Sequence, residues 1–144
     1  MAPSAELDLF AMKLTLLRYL LMIDAAILLL LGALLIFAPR QIEAAFHFRD
    51  LPAAVSYLIG LWGCVFATLG VGYAVAATDP ARHVAWVQVG IARGGLECLL
   101  GLVYLARGVV TWQQAAFGIV AAGFITAAYL VLYPRGGLRA RSMV

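Results

Sequence analysis

The sequence predicts an all-α membrane protein, an antiparallel up-down-up-down bundle of four transmembrane helices. Three observations carry this prediction. Of the 144 residues, 65% are apolar and 12% are charged, about half the charged share of a typical soluble domain. The apolar residues gather in four runs, at about residues 16–37, 54–77, 84–106 and 115–133, each close to the roughly 20 residues that cross a hydrocarbon layer. Two of the three connections are only a few residues long, which sets consecutive helices side by side and antiparallel. A single integral membrane domain is expected over residues 1–144.

Residues 1–12 carry Glu6 and Asp8 and lack the basic start and small-residue cleavage site of a secretory signal, so they are expected to stay on the mature protein. Leu7, Phe10, Leu14 and Leu17 recur at helical spacing and predict an amphipathic lead-in helix. The first span follows, contains Asp24 and stops at Pro39, which has no N–H for the next helical hydrogen bond. In the long connection PRQIEAAFHFRDLP, the residues Ile42, Ala45, Phe46 and Phe48 fit a short interfacial helix. The second span ends at the turn TDPARH, where Asp79 is placed to cap the third helix by accepting a free backbone N–H. The third span ends near Arg107 and Gly108, and the link GVVTWQQ leads to the fourth, which Pro134 closes.

Lysine and arginine set the expected orientation. With the N-terminus inside, Lys13, Arg18, Arg82, Arg135, Arg139 and Arg141 lie on the cytoplasmic side, against Arg40, Arg49 and Arg107 opposite. Both termini are therefore expected in the cytoplasm. Tyr19, Tyr57, Trp86, Trp112 and Tyr133 stand at span ends, where aromatic belts form.

Helices in lipid associate through small residues that let backbones approach. Such lines occur in the second span at Gly60, Gly63, Cys64, Ala67, Gly70 and Ala74, in the third at Gly90, Gly94, Gly101 and Gly108, and in the fourth at Gly118, Ala122 and Thr126. In the third span, Arg93 and Glu97 share the three- and four-residue spacing of the glycines, so the charges are expected to point inward. A charge at mid-membrane costs about 2.5–3.5 kcal/mol and calls for a partner, a water cavity or a function. Counting depth at about 1.5 Å per residue sets Asp24 within ~2–3 Å of the level of Arg93, which makes it the natural partner. Glu97 reaches Arg93 as an i,i+4 pair. Thr68, Thr126 and Tyr129 fall at neighbouring levels and complete the expected polar layer, a candidate ligand or proton site.

The other chemistry-bearing residues point to less. Cys64 and Cys98 have no CxxC or metal-ligand spacing and fit small buried hydrophobes. His47 and His83 lie in connections on opposite sides, without neighbours for a metal site. A net charge of +3, with no long basic run, argues against nucleic acid as a partner. No nucleophile–base pair, phosphate loop or metal motif is present, so no cofactor and no catalytic residue is expected, and a non-enzymatic role is favoured.

The first span with its following IFAPRQI, the glycine-rich second span ending in GYAVAATDPARH, and the centrally charged third span resemble the small four-helix bacterial membrane proteins grouped as DoxX-like. The resemblance covers most of residues 16–133, although the charged motif of that family's first helix has no clear match here. It implies a bacterial inner-membrane bundle, and in a few members a respiratory-chain or oxidoreductase role. The leading expectation is an inner-membrane accessory or interaction protein whose Asp24, Arg93 and Glu97 cluster is chiefly structural. Its partners are then the lipid bilayer and a membrane-protein complex or further copies of the chain. Two alternatives stay open. One is a carrier or channel subunit in which Glu97 takes up a proton or cation; the other is a quinone- or lipid-handling oxidoreductase subunit, with Arg93 holding a polar headgroup or carbonyl.

Overall fold

The structure is a computed structural model that describes the backbone of residues 3–47 and 52–134, with side chains for 8–47, 52 and 54–134. Phe48, Arg49, Arg135, Arg139 and Arg141 lie outside the described residues, and of Glu6 and Leu7 only the backbone is described. Five helices and no strand occur among the described residues: α1 (Pro3–Phe37), α2 (Pro39–Ala45), α3 (Ala53–Thr78), α4 (Val84–Ala106) and α5 (Trp112–Leu132). Four of them, α1, α3, α4 and α5, are long and apolar enough to cross a membrane.

Helix limits follow local chemistry. The lead-in residues form no separate helix, because α1 runs unbroken from Pro3 to Phe37. Nothing between Phe10 and Leu17 breaks the helical hydrogen bonding. Ala38 is the only interruption before Pro39, which takes the first position of α2, where a missing N–H costs nothing. At the end of α2, His47 adopts φ 61° and turns the chain out of the helix. Ser56 Oγ donates to Glu43 Oε1 at 3.0 Å and ties α2 to the start of α3. Asp79 does not cap α4: it accepts from the backbone N–H of Arg82 at 3.2 Å within the turn, and His83 takes the N-cap position. Helix α5 begins three residues earlier than expected. Thr111 and Gln114 form a capping box there, with Thr111 N–H donating to Gln114 Oε1 at 2.9 Å, so Trp112 is already helical.

The long helices associate as two pairs, α1 on α3 and α4 on α5, and α1 meets α5 over a shorter stretch. Small residues decide the pairing. A Cβ placed on Gly32 would lie 2.8 Å from both Ala67 N and Gly63 O, and one on Gly70 would lie 2.8 Å from Leu29 Cγ. The second-span line thus faces α1. In the third-span line, Gly90 receives the ring of Tyr129, Gly94 receives Ala122 and Thr126, and Gly101 receives Ile119, all from α5. Both lines are occupied by these pairings, so consecutive α3 and α4 make the slightest contact instead of a full interface. They meet through Trp86, which packs onto Gly72 and sets its ring 5.6 Å from that of Tyr73 at an interplanar angle of 71°. Trp86 is therefore a half-buried packing residue, whereas Tyr57 and Trp112 are exposed near the starts of their helices and Tyr19 is exposed in the middle of α1, which extends well beyond the expected span start.

A core forms where all four long helices converge, from Leu17, Leu21, Ala25 and Leu28 of α1, Tyr73, Ala76 and Ala77 of α3, Val87 of α4 and Tyr129 of α5. Outside it the helices expose large apolar side chains, among them Leu30, Trp62, Leu96, Phe117, Phe124 and Val131. Gly60 and Gly118 have open space around them and take no part in the helix contacts. Gly32→Leu is expected to destabilise the fold by about 1–3 kcal/mol or more, because the backbone of α3 stands where the side chain must go. Gly60→Ala should leave the thermal midpoint of the purified protein unchanged, and melting both variants in the same lipid checks the contrast.

Candidate functional site

The α1 face that carries Leu17, Leu21, Ala25 and Leu28 into the core also carries Asp24, which is 2% exposed. A carboxylate so buried must be paired and hydrogen-bonded. Arg93 of α4 supplies the pairing: its Nη2 donates to Asp24 Oδ1 at 2.9 Å and to Oδ2 at 3.1 Å. Tyr129 of α5 donates its hydroxyl to Asp24 Oδ2 at 3.0 Å. The remaining long helix, α3, contributes Tyr73, fully buried, whose ring centre lies 5.5 Å from the guanidinium carbon of Arg93 and whose ring stacks on Tyr129 at 6.3 Å. That is a cation–π distance. Side chains from α1, α3, α4 and α5 thus close around one charge pair.

Glu97 stands differently. It lies one turn beyond Arg93 on α4, with Oε1 3.9 Å from Arg93 Nε, too far for a hydrogen bond, and its side chain is 44% exposed against 12% for Arg93. It lines a groove of about 310 Å³ between α4 and α5, together with Tyr104, Gln114 and Phe46. Arg93 Nε and Tyr73 Oη are buried without a hydrogen-bond partner.

The structure brings Asp24, Arg93 and Tyr129 into direct contact and leaves Glu97 at the edge. It does not bring in the threonines. Thr68 is exposed and donates to Cys64 O at 2.9 Å, and Thr126 donates to Ala122 O at 2.8 Å while packing against Gly94. Cys64 is exposed and Cys98 half-buried, and both are free thiols, so Cys64 is not the buried hydrophobe its apolar neighbours suggested. His83 Nδ1 lies 2.9 Å from Asp79 O in the turn before α4. Two packing residues escape sequence reasoning: Tyr73 of the centre, and Gly32, a lone glycine in a leucine-rich run that packs on Gly63 and Ala67. The GlyTyr pair at 72 and 73, at the depth of Asp24, is the signal that points to the former.

The arrangement is a closed clasp. Oδ2 of Asp24 accepts two hydrogen bonds and Oδ1 one, all from protein donors. Arg93→Ala is expected to cost about 3–5 kcal/mol, because it strands a buried carboxylate. Tyr129→Phe should cost about 1.5–3 kcal/mol through one lost bond to a charged group. The double variant Asp24→Asn with Arg93→Gln should recover part of the Arg93→Ala loss, since it leaves no unpaired charge. Thermal melts of the four proteins in one lipid composition measure all three differences.

No protein-family model matches this chain, and no curated protein or solved structure is significantly similar to it, so the DoxX-like resemblance rests on the quoted motifs alone.

Proposed function

We propose that this chain is a four-span integral membrane protein that acts as an accessory or interaction subunit of a larger membrane assembly, with the Asp24–Arg93–Tyr129 clasp as its structural centre. The closure of the clasp carries the reading. A site that binds and releases a proton, ion or substrate needs free ligand atoms and a path to them. Asp24 has neither, at 2% exposure and with both oxygens hydrogen-bonded by protein groups. A buried pair of this kind is best suited to fixing which helix faces meet.

Four long apolar helices with leucine, tryptophan and phenylalanine on their outer faces support the membrane placement. An apolar surface of this extent is solvated by lipid or by other proteins. Helix α1, at 35 residues, is about 52 Å long, so it outreaches the ~30 Å hydrocarbon layer and carries its N-terminal turns beyond it. Contacts between Gly32 and Gly63 and between Leu29 and Gly70 run in opposite chain directions, which supports the up-down order of α1 and α3. Among the described residues, Lys13, Arg18 and Arg82 fall at the end assigned to the cytoplasm, against Arg40 and Arg107 opposite. The bacterial inner membrane is what the DoxX-like resemblance implies.

The outer faces are what a partner would meet. They are apolar, and next to Glu97 they are indented by the groove that Gly118 and Tyr104 line. The transport reading is favoured by one observation, the exposure of Glu97 in the middle of an apolar helix. Purification of the tagged protein from its native membranes in mild detergent tests the interaction reading. A fixed stoichiometric membrane partner is expected, and a chain that always emerges alone or only with copies of itself overturns it. Glu97→Gln reconstituted in vesicles should show the same proton permeability as wild type. A wild-type proton or cation flux that this substitution abolishes would put the carrier reading in its place.

A further inference from the structure

We propose that the groove between α4 and α5 binds an organic ammonium ion, with the Glu97 carboxylate as its counter-charge and the rings of Tyr104 and Phe46 as its walls. The proposal shares the four-span placement with the reading above but not its interaction role. Glu97, Gly101 and Tyr104 recur on α4 at spacings of four and three residues and line one side of the groove, and Gly118 of α5 lines the other. Phe46 closes the end nearest α2 and is held there by Phe117, whose ring centre lies 6.3 Å from its own. The volume of about 310 Å³ is at the small end of ligand pockets, and it suits a compact cation with one aromatic or short aliphatic substituent.

Charge selects the ligand. Among the described residues that line the groove, Glu97 is the one charged side chain, and the rest of the wall is apolar, aromatic or amide. Its nearest cation, Arg93, is committed elsewhere: both hydrogen bonds from Nη2 go to Asp24, and Nε stops 3.9 Å short of Glu97. With all three groups ionised, Asp24, Arg93 and Glu97 sum to one negative charge, and the exposed half of Glu97 is where that excess meets the groove. An anion is repelled there. A hard metal ion requires six or more oxygen ligands, far more than one carboxylate and its neighbours provide. An ammonium group with carbon substituents fits, since a carboxylate supplies its counter-charge and aromatic faces attract it electrostatically while accommodating its apolar surface.

Access and folding are compatible with occupancy. Glu97 is 44% exposed, so a ligand reaches it without opening the clasp. Between Glu97 and Tyr104, seven residues along α4, the groove extends about 10 Å toward the α4–α5 connection. A Cβ on Gly118 would meet nothing within 4 Å, so a larger side chain at that position fills the groove without disturbing helix packing.

The test is calorimetric titration of benzyltrimethylammonium into the purified protein in nanodiscs of phosphatidylglycerol, whose headgroup carries no ammonium ion to compete. Neopentylbenzene, its uncharged carbon isostere, and empty nanodiscs serve as controls. Saturable binding of the cation is expected in wild type, with affinity lowered about tenfold or more in Glu97→Gln, the loss of its one counter-charge. Tyr104→Leu should lower it about threefold, the loss of one exposed cation–π contact. Gly118→Leu should abolish binding at an unchanged melting temperature, and this variant decides the matter if Glu97→Gln does not fold. No saturable binding in wild type overturns the proposal, as does equal binding by the neutral isostere or undiminished affinity in the Glu97 and Gly118 variants. Since no partner protein is present, such a failure leaves the interaction reading standing, and failure to find a partner leaves this one standing.

Discussion

Asp24 and Arg93 sit on helices whose backbones stay apart: among the described residues no Cα of α1 lies within 8 Å of a Cα of α4. The reach of the arginine side chain bridges that gap, and its Nη2 meets both carboxylate oxygens. Lysine offers a single, strongly hydrated ammonium on a shorter stem and would reach less far with less geometric definition. The pair therefore joins α1 of one unit directly to α4 of the other, a link that backbone packing does not make. Tyr129 adds the α5 contribution to the same carboxylate, and Tyr73 lays an α3 ring against the guanidinium. The largest buried side chains of the fold accordingly cluster at this level, around a charge pair and not around a purely apolar layer.

Small residues complement this constraint. Gly63 and Gly70 let α1 press against α3, and Gly90, Gly94 and Gly101 let side chains of α5 press against α4. In lipid such contacts replace the hydrophobic drive that assembles soluble bundles. A helix has a limited width of face, and one line of small residues serves one neighbour. With each line taken, α3 and α4 are held together by their short connection, by Trp86 and by the shared clasp. Away from the clasp, Gln114 Nε2 of α5 donates to His47 O in the connection between α2 and α3 at 3.4 Å, and the α4–α5 surface stays open enough to form the groove beside Glu97.

Regular helix rise made much of this centre legible in the sequence. Depth along a span can be counted, and counting paired Asp24 with Arg93 and set Tyr129 near them. Azimuth is harder to count without knowing which face a helix turns inward. Thr68 lies at a plausible depth, but it follows Ala67, the residue against Gly32, by one position, and one position is about 100° around the helix. It therefore points away. Glu97 follows Arg93 by four positions, and four steps overshoot a full turn by about 40°. The i,i+4 rule set both on one face, and this rotation is in the direction that leaves Glu97 on the groove side. Tyr73 was missed for a different reason, because nothing in an apolar run marks which aromatic ring turns inward until its neighbours are known. The early start of α5 turned on a reciprocal bond between Thr111 and Gln114 that hydropathy does not register.

The two carboxylates that share Arg93 are separated in role by burial. Removing Asp24 from solvent is tolerable only because three donated hydrogen bonds and a full counter-charge replace its hydration. With those in place and 2% of its surface exposed, it offers a ligand no approach. Glu97 gains only the far side of the same guanidinium at 3.9 Å and keeps nearly half of its surface open. Its charge is therefore only partly balanced from within the chain. Whatever balances the remainder, lipid headgroup, ligand or partner side chain, must approach along the α4–α5 groove, because the opposite side of Glu97 is closed by Arg93 and the core behind it.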